Sequence, residues 1–380
     1  MSSAATPIAV LVKPLGELWG WSRAEATFIV SLNALIVLFV GPFVATVLRR
    51  WGFIRLPLLA VSISAFAQAL VGFSGPNLYI WYVLWTVFAV AYLGNGVLVW
   101  ASAITYLFEQ RRGFALALVL SGVAAGHAVL PLATHYLYDA LGIRWTFVSL
   151  AASLLLSAGG AVILLSKSQL NYVLAERLAQ VSKIDTPLRD TLALIFRRPT
   201  FWQLAVGFVA LGLAIGSIAI HFVAIMTDAG ITSDTAAWVL ALFGPSVLVG
   251  RFMGAWLLDR VSARLVVLPF FVGPLISCLI LSGFTGDIAA AVAVITLAGV
   301  AMGAEGDMLA YFVGRYFGSE KFAQLYPLMF GIFVICFGFS PVLAGYAFEV
   351  FGSYELVYTA FSVMLLLGLG VMLTLGPYRH

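Results

Sequence analysis

Charge is scarce in this chain. Only 9% of its 380 residues are Asp, Glu, Lys or Arg, 63% are hydrophobic, and the mean hydropathy is +1.07. A soluble domain carries about 25% charged residues, so water is excluded as the main solvent. Cysteine is nearly absent: Cys278 and Cys336 both fall in apolar runs and read as small buried hydrophobes. No Asn-x-Ser/Thr sequon occurs, and residues 1–12 lack the basic leading region of a secretory signal. A GxxxxGK[ST] nucleotide loop, an HExxH zinc site and a GxSxG elbow are also missing. No enzyme activity, metal or cofactor is therefore expected, and ATP-driven transport would need a partner chain.

What the chain does have is long apolar runs. A bilayer core of roughly 30 Å needs about 20 apolar helical residues, and a membrane barrel would instead show alternating strands of about ten. Eleven runs have the helical length: 26–48, 56–74, 79–107, 114–138, 145–165, 201–224, 235–257, 265–284, 288–312, 323–348 and 355–376. The 36 glycines and 14 prolines fit, since both are commoner in transmembrane helices than in soluble ones. The expectation is an all-α polytopic membrane protein.

Before these runs lies segment 4–18, whose fifteen residues reach only about 22 Å. It reads as the outer half of a first helix, with the loop GWSR (20–23) outside. A true start upstream of the stated Met1 is expected; a short first helix that thins the bilayer is the alternative.

Lys/Arg placement orients the spans. Alternate loops collect Arg49, Arg50, Arg55, Arg111, Arg112, Lys167, Arg177, Lys183, Arg189, Arg197, Arg198, Arg260, Arg264, Arg315, Lys321 and Arg379, sixteen of the twenty basic residues. The opposite loops hold only Arg23 and Arg144. Such a bias marks the cytoplasmic side, so the linker and C-terminus are expected there, in a cell (inner) membrane. The net charge of +4 follows from this bias and gives no reason to invoke nucleic acid. The longest polar stretch, 166–200, reads partly as surface-lying amphipathic helix. It separates an N-terminal bundle (1–165) from a C-terminal one (201–380).

The halves repeat. PLATHYLYDALG (131–142) and PVLAGYAFEVFG (341–352) share Pro-x4-Tyr-x2-acid-x2-Gly at an offset of 210, and GPFVATVLRRWGFIR (41–55) mirrors GRFMGAWLLDRVSAR (250–264), with Arg50 over Arg260 at the same offset. Parallel six-helix repeats are a transporter architecture, with substrate held near the midplane.

Ionisable groups inside a bilayer are costly and become functional candidates. Arg251 lies eight residues before the inner-edge Asp259, about 12 Å deep by helix rise. Asp307 lies eight before Arg315 at matching depth, and Glu305 sits deeper. Residues two apart on a helix point about 200° from each other, so one carboxylate is expected to pair with Arg251 and the other to face a cavity or the loop bases. Two roles stand open: a cytoplasmic latch built from Arg251, Asp307, Asp259, Arg260 and Arg315, or substrate and proton handling. A carboxylate in an apolar site can load and release a proton near neutral pH, which makes Glu305 a coupling candidate. His127, amid small residues in SGVAAGHAVLP, either titrates or packs. Asn95, in YLGNGVLVW, either hydrogen-bonds a carboxylate substrate or joins helices. Lys13 either meets substrate or snorkels to the interface.

The chain also carries a resemblance. GRFMGAWLLDRVSAR resembles the helix 8 to helix 9 signature of the major facilitator superfamily. GAEGDMLAYFVGRYFG (303–318), KPLGELWGWSRAEA (13–26) and HFVAIMTDAGIT (221–232) are similar to helix 10, the helix 1 to helix 2 junction and the end of helix 7 in its bacterial monocarboxylate and oxalate/formate-type branch. The resemblance implies two six-helix bundles around a cavity lined by helices 1, 4, 7 and 10. It implies a proton-coupled carrier of a small organic anion, a monocarboxylate, working as a monomer. Lys13 would contact the substrate carboxylate, with His221, Asn95 and Arg251 as further substrate ligands and Glu305 and His127 exchanging protons. One departure stands out: the family's helix 2 to helix 3 loop carries Asp then Arg, where this chain has Arg49 and Arg50, and a basic helix 4 partner is Tyr106 here. Proton-antiport efflux of hydrophobic compounds is the competing function, and a truncated, inactive transporter a third reading. A receptor or scaffold is disfavoured because no extramembrane domain is present between the spans.

Overall fold

The computed structural model describes residues 2–107, 112–168, 172–174 and 196–376. Most of the 166–200 linker, including the expected amphipathic helix, and Arg111 and Arg379 lie outside them. Among the described residues the regular elements are helices. Eight stretches are long and apolar enough to cross a bilayer, which makes the chain a multi-pass membrane protein. Two of these, Arg23–Val71 and Leu118–Ser166, are each 49 residues long and bend at Gly52 and Gly142.

Counting across the bends gives α1 (Ser2–Trp19), α2 (23–51), α3 (53–71), α4 (78–107), α5 (112–141) and α6 (143–166). The second set is α7 (Pro199–Asp228), α8 (Ser233–Arg260), α9 (Ala263–Ser282), α10 (Ile288–Phe317), α11 (Ser319–Phe351) and α12 (Glu355–Leu373). Three helices start where a side chain supplies the missing acceptor. Asn77 caps α4 by accepting from the Tyr79 and Ile80 amides, Thr232 caps α8, and Asp287 caps α10. The repeated motif ends alike in both halves: Gly142 takes φ +71 and Gly352 φ +69, angles that a side chain disfavours.

Two helices depart from regular geometry. α4 is interrupted at Gly94-Asn95-Gly96 between Leu78–Leu93 and Val97–Leu107. The pair of glycines lowers helix propensity there, and Gly94 lies so close to Ala60 and Leu56 of α3 that a Cβ would overlap both. α6 contains a π-helical turn at Leu155–Gly159.

The contacts divide the chain into two units that cut across chain order: 1–34, 124–132 and 185–380 form one, 35–123 and 133–184 the other. In the first, pairs of glycines four apart let backbones meet. Gly250 and Gly254 of α8 pack on Val300 and Ala304 of α10, while Gly299 and Gly303 pack back on Ser246 and Val247. A Cβ at Gly250 or Gly303 would fall inside a facing carbonyl oxygen. Gly212 and Gly216 of α7 meet Phe333 and Phe337 of α11 in the same way. Without a hydrophobic drive between helices in lipid, this close packing supplies the association energy.

The second unit is held by an aromatic cluster. Trp81 and Trp85 of α4 meet Phe147 of α6 edge to face, Phe88 meets Trp85 in the same way, and Trp81 and Phe147 are fully buried. A second core, with Leu48, Phe53, Leu93 and Val99 among its members, packs α2, α3 and α4 together.

Candidate functional site

The glycine contact between α8 and α10 positions the first group of charges. With Gly303 against the backbone of Arg251, the guanidinium reaches Asp307, its Nη1 3.9 Å from the carboxylate. That is the long end of an ion pair, and both side chains keep partial exposure, 24% and 39%. Asp307 is therefore the carboxylate within reach of Arg251. Glu305, on the other side of α10, is 5% exposed, and its Oε2 has no hydrogen-bond partner among the described residues. Leaving a charged oxygen so placed costs several kcal/mol. Tyr326 of α11 flanks the intervening Gly306.

A second group joins five helices. Asp228, ending α7, holds Lys13 of α1 at 3.2 Å and Arg23 of α2 at 2.6 Å, one through each carboxylate oxygen. The same Arg23 Nη1 donates to the Tyr354 hydroxyl at 2.7 Å. Tyr354 lies 2.9 Å from Nδ1 of the fully buried His221, whose Nε2 lies 2.7 Å from the Pro341 carbonyl. The acceptors assign the protons. A carbonyl only accepts, so Nε2 donates; a neutral ring then accepts at Nδ1 from the Tyr354 O–H. Burial pushes the Tyr354 phenol well above its ordinary value, with the Arg23 guanidinium opposing, so it remains a donor at working pH. Arg23 also stacks 3.6 Å over the Phe348 ring, and the next residue's amide donates to Glu349. One turn deeper, Ser217 donates to Tyr358.

His127 lies in a third place. Its Nδ1 is 3.2 Å from the Thr6 hydroxyl, and its ring meets Phe243 edge to face. Both border a cavity of about 20 Å³ lined also by Ala219, Ile220, Leu240 and Phe337, room for about one water. On α11 an aromatic ladder, Phe322, Tyr326, Phe330, Phe333 and Phe337, runs from beside Gly306 to this cavity.

The other expected site residues stand apart. Asn95 sits in the α4 break of the second unit, buried, and its backbone and side-chain oxygens both accept from the Trp100 indole at 3.1 and 3.2 Å. Asp259 and Arg260 are exposed at the end of α8, Arg260 over the Trp256 ring, and Arg315 lies over Tyr311. Among the described residues no three His, Cys, Asp or Glu side chains gather as metal ligands. Sequence reasoning missed Arg23, Asp228 and Tyr354 as partners. The signal for one was available: Arg23 is one of two bases on the charge-poor side, a place where a lone cation asks for a partner.

Residues 1–223 match the sequence profile of the Major Facilitator Superfamily. The chain is 24% identical over 253 residues to an "MFS-type transporter" of Gibberella moniliformis, covering 65% of this chain and 57% of that protein. It is 24% identical over 161 residues to the agnestins efflux protein AgnL12 of Paecilomyces divaricatus, 42% of this chain and 34% of the relative. The matches thus span about half the length of the first relative and a third of the second. Among solved structures, a bacterial homolog of the human lysosomal transporter Spinster, inward-facing and unoccupied, superposes with a TM-score of 0.71 at 18% identity, over 98% of this chain and 90% of that one. Its inward-facing, occupied form gives 0.66 at 17% identity over the same shares. At such identity the likeness is one of fold.

Proposed function

The chain belongs to the Major Facilitator Superfamily, and on that premise we propose that it is a secondary active transporter carrying a small organic anion, a monocarboxylate, together with protons. Two six-helix bundles, 1–165 and 201–380, alternate access to a site between them, with the linker 166–200 and the C-terminus cytoplasmic. The observation that carries the proton part is Glu305: a carboxylate 5% exposed, one oxygen unpartnered, beside the Arg251–Asp307 pair. Taking up a proton removes the cost of burying that charge, so the group can be loaded in one state and emptied in another.

The anion part rests on Lys13 and Arg251. Each already holds a carboxylate of the protein, Asp228 and Asp307. A substrate carboxylate competes for those cations, and the exchange of partners loosens contacts that otherwise hold the helices. His221 has both ring nitrogens engaged, so it binds substrate only after giving up Tyr354 or Pro341. Its first role in this reading is to hold the closed state. In this reading His127, which borders a small cavity, passes a proton to a water.

The test is uptake of a labelled monocarboxylate panel into proteoliposomes with and without an inward proton gradient. Gradient-stimulated uptake of one acid, lost in Glu305→Gln, supports the reading; wild-type uptake indifferent to the gradient rejects proton coupling. The aromatic ladder on α11 favours a second reading, proton-driven efflux of hydrophobic compounds, as does the name of the Paecilomyces relative. Gradient-driven expulsion of a hydrophobic dye, insensitive to Lys13→Ala, would select it.

A further inference from the structure

The turn between α2 and α3 carries a charge pattern that the transport reading does not use. From Ala26 to Phe108 the charged residues are Arg49, Arg50 and Arg55, three cations with no carboxylate. All three are exposed, none forms an ion pair among the described residues, and only Arg49 has a polar side-chain contact, with Thr46. Gly52, at φ +75, turns the chain between them, so Arg49 and Arg50 end one helix and Arg55 opens the next.

An apolar groove of about 220 Å³ lies between α2, α3 and α4, and its lining reaches Trp51 and Leu56 on the two sides of this turn. Its walls include Val44, Val47, Trp51, Leu59, Ile63 and Val90. Exposure alone says little here, because helices facing lipid expose many apolar side chains. What sets this surface apart is a concave groove whose lining includes Trp51 and Leu56, the sequence neighbours of Arg50 and Arg55, cations with no ion pair among the described residues. Trp51 and Leu56 close its lower end, each next in sequence to a base, and on α2 the lining runs eleven residues up to Val40, about 16 Å by helix rise. That is the reach of much of one acyl chain. An apolar tail with an anionic head fits both ends, and the adjoining leaflet supplies such molecules.

We propose that this groove is a binding site for one anionic phospholipid, its acyl chain against Val47, Leu59 and Ile63 and its phosphate among Arg49, Arg50 and Arg55. Charge complementarity selects the anionic headgroup; a zwitterionic lipid brings its own cation into the same cluster. Juxtamembrane bases attract anionic lipid at about 1 kcal/mol each, a factor of roughly five per base.

Trp51 offers a local reporter. The full chain is reconstituted in phosphatidylcholine vesicles doped with either phosphatidylglycerol or phosphatidylcholine brominated on the acyl chains. Quenching of Trp51 is the difference between wild type and Trp51→Phe. The expected result is a preference for brominated phosphatidylglycerol of at least about fivefold. It disappears in Arg49→Gln/Arg50→Gln/Arg55→Gln and survives in the matching triple Lys variant. Because these side chains are exposed, the fold should persist in both. A groove-filling Val47→Trp/Trp51→Phe variant should leave its new tryptophan unquenched. Equal quenching by the two lipids, or a preference that survives the Gln variant, overturns the proposal.

Discussion

Arg23 and Asp228, 205 positions apart in the chain, lie 2.6 Å apart, and the Arg23 side chain is only 15% exposed. Through them the start of α2 is fastened to the end of α7, and through Tyr354 and His221 to α11 and α12. A single carboxylate that serves both Lys13 and Arg23 is a latch with one key: neutralise it and two cations lose their counter-charge together.

Asp228→Asn should destabilise the protein by about 2 kcal/mol. A fully buried pair broken at one partner costs about 3–5 kcal/mol, and partial exposure of both side chains reduces the figure. Thermal unfolding in detergent measures it. The charge-swapped double variant Arg23→Asp/Asp228→Arg should recover part of the loss; no recovery means the two residues are not coupled.

Tyr354→Phe keeps the ring against Phe348 and His221 and removes only the hydroxyl between Arg23 and His221. The expected cost is about 1–2 kcal/mol, that of leaving a buried acceptor unpaired. A stability equal to wild type would show that the hydroxyl link is not made in solution.

Gly250→Leu should abolish folding or expression, because its first side-chain atom meets the Val300 carbonyl with no room to move. Gly370→Ala, where nothing lies within 4 Å, should be neutral or stabilising by up to about 1 kcal/mol. Yield and unfolding temperature of the two variants decide whether the α8–α10 contact is as tight as described.

Glu305→Gln should leave stability equal or higher. The amide keeps the shape and removes the cost of a buried charge with an unpartnered oxygen. A loss of more than about 2 kcal/mol would mean that Glu305 holds a structural ion pair, and its role in coupling would fall.

Much of the fold is legible from apolar length alone. The eleven runs correspond to α2–α12, and the motif glycines Gly142 and Gly352 sit where helices end. The α4 interruption is not legible, because a hydropathy window averages over Gly94-Asn95-Gly96 and both flanks are apolar. The site divides in the same way. Depth along a helix places Arg251 and Asp307 opposite each other, since equal distance from the membrane edge is a sequence property. The Arg23–Asp228–Tyr354–His221 chain depends on which helices become neighbours and how each is rotated. Those are set by glycine contacts between distant segments. GRFMG in α8 and GVAMG in α10 contain that information, but only once they are known to face each other.

The most direct test of the account is proton-driven uptake by Glu305 and its neutral variant side by side. In proteoliposomes with an inward proton gradient, the wild-type chain should concentrate one labelled monocarboxylate. Glu305→Gln should lose that accumulation while still exchanging internal for external substrate. Accumulation by the variant equal to wild type would contradict the central claim, whatever the substrate proves to be.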